Sequence, residues 1–176
     1  PLRDLVYGQQ LSVNKLNKLD TFNIDFSSED RLHQWMFFNN AIMEISKDDI
    51  VLKKRGEVNK YIWESKMHDH TIFLEDQHFT IKKDKNGNDD IEIHRFDNMY
   101  FNYLINASRI HWRKELEDSI DNYKEEKRQA YLKKHKFNIA GPNLEADEQY
   151  EQKLHLINKI YAIGYMLHTF KSPQKP

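Results

Sequence analysis

The spacing of apolar residues changes at about residue 96, and that change limits the fold more than any other feature of the chain. Before it, short apolar runs alternate with polar residues between turn-forming clusters; after it, apolar residues recur every three or four positions among charges. A period of two suits a pleated strand and a period near 3.6 suits an α-helix, so the two stretches call for different secondary structure. The pattern predicts an α+β fold: an N-terminal β-hairpin-rich half and a C-terminal helical bundle. It divides the chain into a mixed subdomain over 1–95 and a helical subdomain over 96–176.

Two hairpins are expected in the first part. Residues 37–45 and 50–54 flank Ser46, Lys47, Asp48 and Asp49. Residues 79–83 and 91–94 flank Lys85, Asn86, Gly87 and Asn88, where Asn-Gly supplies the positive φ angles of a tight turn. Segments 61–63 and 71–74 are candidates for additional strands. Upstream, residues 21–26 alternate like a strand, while Leu11, Val13, Leu16 and Leu19 suit a short amphipathic helix. Ser28 is placed to cap a short helix through Arg31, Leu32 and Trp35, since its oxygen can accept from an early backbone N–H.

In the second part Met99, Tyr103, Ile110 and Trp112 begin the helical pattern, and Leu116, Ile120, Tyr123, Tyr131 and Leu132 continue it. Ala140, Gly141, Pro142 and Asn143 break the run before a long closing helix. That helix carries two apolar stripes, one through Tyr150, Leu154, Ile157, Tyr161 and Tyr165 and another through Leu156, Ile160, Ile163 and Leu167. A helix apolar on two sides is expected to pack on two sides.

Several chemistries lack the residues they need. The absence of cysteine removes disulfides, thiol catalysis and cysteine-ligated zinc. No apolar run approaches the roughly 20 residues that span a bilayer, and the start lacks a signal-peptide core, so the chain is expected to be cytoplasmic. A chain opening on Pro1 without methionine reads as a piece excised from a longer protein. The five glycines never form a phosphate-cradling loop, and no Gly-x-Ser-x-Gly elbow is present. Asp25 has Ser27 where a second metal-binding acid would sit on a strand. His68 and His70 form a His-x-His pair that a metal could use on one strand face, but a metal site needs further ligands, and two surface histidines are the plainer reading. No catalytic residue, metal or cofactor is therefore expected in this chain.

Lysine and arginine together number 27 against 28 acids, so only a local patch can speak for nucleic acid. One stretch does. Arg109, Trp112, Arg113, Lys114, Lys127, Arg128, Lys133, Lys134 and Lys136 are the candidate nucleic-acid contacts, with Tyr123, Tyr131 and Phe137 interleaved. Cations beside aromatic planes bind single strands by pairing with phosphates and stacking on bases. The same stretch holds Glu115, Glu117, Asp118, Asp121, Glu125 and Glu126, which would equally form ion pairs along a solvated helix. The acid-free run from Lys133 to Lys136 is the strongest argument for binding.

Three segments, "NASRIHWRKELE" (106–117), "KFNIAGPNL" (136–144) and "EQKLHLINKIYAIGYMLHTFKSP" (151–173), resemble the helical region that precedes the ATPase core in superfamily-three primase-helicases of phages, plasmids and integrated mobile elements. The segment "FFNNAIMEISKDDI" (37–50) resembles the Phe-x-Asn-Gly turn of the mixed region in that group, with Asn40 where the glycine would be; asparagine tolerates the left-handed conformation. The resemblance covers roughly 37–173. It implies a non-catalytic linker that positions single-stranded DNA beside the motor. Its implied partners are that strand, a C-terminal ATPase domain in the same parent chain, and copies of the parent in a homo-oligomer. The ATPase domain would follow Lys171, Ser172 and Pro173 and cover the second stripe of the closing helix. A protein-interaction or assembly module without nucleic-acid binding is the alternative, and a small metal-dependent enzyme using His68 and His70 a third.

Overall fold

Strands β1 (Gln34–Phe37), β2 (Ile42–Ile45) and β3 (Ile50–Lys53) form an antiparallel meander with β2 at its centre. The computed structural model describes Phe26 and residues 31–169. The meander lies in the first of two compact units, Pro1–Ile72, and the second is Phe73–Pro176.

The 46–49 turn forms as expected: the Ser46 hydroxyl accepts from the Asp49 amide at 3.0 Å, and the Ser46 amide donates to the Asp49 carbonyl at 2.9 Å. Residues 37–45 are not one strand. The chain reverses at 38–41, where the Phe38 amide donates to the Ala41 carbonyl, so that β1 pairs with β2 from Gln34↔Ile45 to Phe37↔Ile42. The helix expected through Trp35 is likewise replaced by β1; its capping Ser28 lies outside the described residues, as do the helix over Leu11–Leu19 and most of 21–26. Cross-strand neighbours outweigh the local helix signal here. Trp35 stands opposite Glu44, which pairs with Lys53, and the Lys53 ammonium lies 5.3 Å from the Trp35 ring centre. Segments 61–63 and 71–74 form no named strand; Tyr61 makes an isolated bridge to Phe26, and Glu64–Lys66 is a short turn of helix.

Asn40 departs from the turn that it resembles. No described non-glycine residue has positive φ, Asn40 included. Its side-chain amide acts instead as a two-way clamp, donating to the Ile72 carbonyl at 2.7 Å and accepting from the Ile72 amide at 3.0 Å.

The second unit begins with the hairpin β4 (Phe79–Lys83) and β5 (Asp89–Ile93). Gly87 takes φ +84°, and the Asp84 carboxylate accepts from the Asn86 and Asn88 amides, both at 2.8 Å. Those donors, the Asn88 amide foremost, hold the Asp84 carboxyl below its ordinary value. Four helices follow among the described residues: α1 (Met99–Ser108), α2 (Trp112–Leu116), α3 (Glu125–Lys134) and α4 (Ala146–Leu167). None of the described helices is long and apolar enough to cross a membrane.

Helix α1 starts where the Asn98 side chain accepts from the Phe101 amide at 2.9 Å, and it buries Phe101, Ile105 and Ser108 at helical spacing. At its other end the Lys159 ammonium donates to the Ala107 carbonyl at 2.9 Å, placing a cation where the helix leaves carbonyls unpaired. Helix α4 opens on a capping box in which the Glu145 and Glu148 side chains each accept from the other's backbone. Its core face is Gln152, Leu156 and Ile157; Gln152 is fully buried, accepting from the His111 amide and donating to the Ile139 carbonyl.

Ile91, Phe101, Ile105, Ile139, Leu156 and Ile157 form one core cluster. Because β5 supplies Ile91 to the same core as α1 and α4, this hairpin belongs with the helices. The compact units divide after Ile72, whereas the change of period near 96 marks a change of secondary structure inside the second unit. Along α4, Tyr161 and Met166 of the closing turns are exposed.

Candidate nucleic-acid interface

Arg109 is the first of the nine candidate contacts in the chain, and the structure removes it from the list. It is 4% exposed, just past the end of α1, and every N–H of its guanidinium is engaged. Nε donates to Glu115 Oε2 at 3.2 Å and Nη2 to Glu115 Oε1 at 2.6 Å, the bidentate pairing that suits a planar fork. The remaining donors reach the Lys136 carbonyl at 2.9 Å, the His135 carbonyl at 3.0 Å and Asn106 Oδ1 at 3.4 Å. No donor remains for a phosphate. Arg109 instead fixes the backbone of the loop that follows α3.

The other eight candidates separate by what surrounds them. Lys114 is held by both carboxylate oxygens of Glu148, at 2.6 and 2.7 Å. The Lys114 hydrogen bond comes first among the causes that hold the Glu148 carboxyl below its ordinary value. Arg113 faces Glu117 at 3.7 Å, and Lys127 covers the Tyr123 ring at 3.9 Å from its centre. Arg128 borders a depression shared with Glu117, Asp118 and Asp121, where the field is acidic. Trp112 is about half exposed at the start of α2.

Lys133, Lys134 and Lys136 remain, and the structure brings these three together along one cleft of about 590 Å³. All three are exposed, and none has a carboxylate partner among the described residues. The hairpin and the residues after it also line the cleft, through Ile91, Ile93 and Phe96, with Phe137 and Ile139 from the loop itself. Lys153 of α4 reaches the same cleft but is neutralised by Asp90 at 2.7 Å. His135 lies between the lysines; its burial, and then Lys134, keep its pKa below the ordinary histidine value, so the positive charge at neutral pH is that of the lysines.

This rim is presented by a helix that places no residue in the core cluster. Helix α3 has no buried residue, and its visible anchor is Tyr131. The Tyr131 hydroxyl accepts from Asn143 Nδ2 at 2.9 Å, and its ring meets Tyr123 edge-on and His135 at 4.4 Å. Burial, first among its causes, raises the Tyr131 pKa. The loop that follows is fixed more firmly, by the Arg109 donors described above and by the Ala140 amide donating to Asn138 Oδ1 at 3.0 Å.

The residues that sequence reasoning missed are those that build the cleft around the lysines. Phe96 follows the hairpin with no local mark of function, and the Asp90–Lys153 pair joins residues 63 positions apart. The acid-free run was the signal that found the rim. In the first unit, His68 stacks on Phe38 at 5.1 Å and donates its amide to the Phe37 carbonyl, while the His70 carbonyl accepts from the Asn39 amide. No group of three or more His, Asp or Glu placed to hold a metal occurs among the described residues.

Comparison with known proteins adds no relative: no family model, no curated protein and no solved structure matches the chain.

Proposed function

We propose that this chain is a non-catalytic, DNA-engaging linker module of a replicative primase-helicase, in which single-stranded DNA crosses the rim formed by Lys133, Lys134 and Lys136. The observation that carries the reading is that these three exposed lysines line one cleft together with apolar side chains, and that none of them has a carboxylate partner among the described residues. A polyanion gains most where cations are grouped and unpaired, because each phosphate neutralised releases condensed counterions. The parent's partners in this reading are a following ATPase domain and further copies of the same chain, and its setting is the cytoplasm.

The test is a salt series with labelled single-stranded DNA. Wild type is expected to bind weakly at low salt, with affinity falling as salt rises. Replacing Lys133, Lys134 and Lys136 together by alanine is expected to lower the log–log slope by about 2, at about 0.7 per phosphate contact, without changing thermal stability. Equal binding by wild type and the triple variant, or no binding by either, would overturn the proposal.

A second reading has its own observation. Met99, Tyr100 and Tyr103 on α1, and Tyr161 and Met166 on α4, are exposed, which suits a protein-interaction or assembly module. It takes the place of the first if the lysine rim proves inert.

A further inference from the structure

The cleft contains more than a phosphate rim. Phe96 is 46% exposed at its edge, and its ring lies nearly parallel to that of Phe137, with centroids 6.2 Å apart and planes 16° from parallel. Lys136 stands over the Phe137 ring, 5.0 Å from its centre. A cation and a pair of stacked rings therefore lie side by side in the lining of the cleft. The backbone on both sides is fixed: Asn102 Nδ2 of α1 donates to the Phe96 carbonyl at 2.6 Å, and Arg109 holds the Lys136 carbonyl just before Phe137. A platform already fixed loses little conformational freedom when a ligand settles on it.

We infer that Phe96 is a base-stacking subsite, so that the cleft takes an unpaired nucleotide, its base on the Phe96 ring and its phosphates on the lysine rim. This rests on the single-strand reading above and narrows it. Phosphate contacts alone treat single and double strands alike in kind, because both present the same oxygens. A base reaches an aromatic plane inside a cleft only when it is out of the duplex stack. The charge complementarity of the three lysines selects an anionic ligand, and the apolar lining, above all the exposed Phe96, selects one that also has an uncharged face.

The experiment uses the whole chain, a labelled oligothymidylate of about 12 nucleotides, an abasic strand of equal length, and a duplex. Phe96→Ala is expected to weaken oligothymidylate binding about tenfold with an unchanged salt slope, and to leave abasic-strand and duplex binding as in wild type. Phe96→Trp keeps a π face and is expected to bind at least as tightly as wild type; Phe96→Leu keeps apolar bulk without one and is expected to lose affinity like the alanine variant. The last two substitutions decide the matter even if the alanine variant unfolds. If Phe96→Leu binds oligothymidylate as wild type does while the lysine variant loses its slope, the stacking subsite is wrong and the phosphate rim stands. If wild type binds neither strand at low salt, both fall.

Discussion

Arg109→Met should destabilise the second unit by about 3–5 kcal/mol, measured by urea unfolding, because it strands a carboxylate in the interior. Glu115 is fully buried, and both of its carboxylate oxygens take their hydrogen bonds from Arg109. The substitution also strips the His135 and Lys136 carbonyls of their donors. A second change at the same site separates loss of the pair from loss of the side chain. Arg109→Met combined with Glu115→Leu removes both charges and should recover a large part of the loss, since replacing a whole buried pair with apolar groups is often nearly neutral. A cost below about 0.5 kcal/mol for the single variant, typical of a surface change, would return Arg109 to the surface and to the set of candidate phosphate contacts.

The second large effect comes from a position with no side chain. Gly141→Ala should cost about 3 kcal/mol, the upper part of the range for overpacking, and the cost should fall sharply in a Glu115→Ala background. A Cβ built on Gly141 lies 2.1 Å from Glu115 Oε1 and 2.4 Å from its Cδ. A flexible carboxylate would swing aside, but this one is held at both oxygens by a buried guanidinium. The penalty at Gly141 is therefore one of space. At Gly87 the space is open and the constraint is the positive φ of the hairpin turn. Additive costs in the Gly141 and Glu115 double variant would mean that the two groups do not meet.

What could be read from the sequence follows the range of the interactions involved. The β4–β5 turn was legible because its determinants are local: Gly87 supplies the positive φ and the Asp84 carboxylate holds the Asn86 and Asn88 amides, although Asn86 itself does not take the positive φ that Asn-Gly suggested. The break before α4 was legible for the same reason, in Gly141 and Pro142. The reversal at 38–41 was not legible in its residues alone, though the resemblance suggested a turn there, since it carries no glycine and the Asn40 clamp that accompanies it depends on Ile72, 32 positions away. Around Trp35 the local pattern suits a helix, and the neighbours that make it a strand, Glu44 and Lys53, arrive from other strands. The site divides along the same line. Lys133, Lys134 and Lys136 stood out as a run, whereas Arg109 looked like one more cation of that patch. Its partner is six residues away across a helix end, outside the three- and four-residue spacing by which ion pairs are recognised on a helix.

The three lysines sit at the end of, and just beyond, a helix with no buried residue, and this bears on how the rim behaves in time. A segment with few buried contacts opens at low free energy, independently of global unfolding. The amides of α3 then exchange with solvent faster than those of α1 and α4, whose faces form the core. A strand laid across Lys133 and Lys134 would hold the last turn of α3 closed, and part of its binding free energy would be spent on local ordering. Affinity at the rim and protection of the α3 amides are then two measures of one equilibrium.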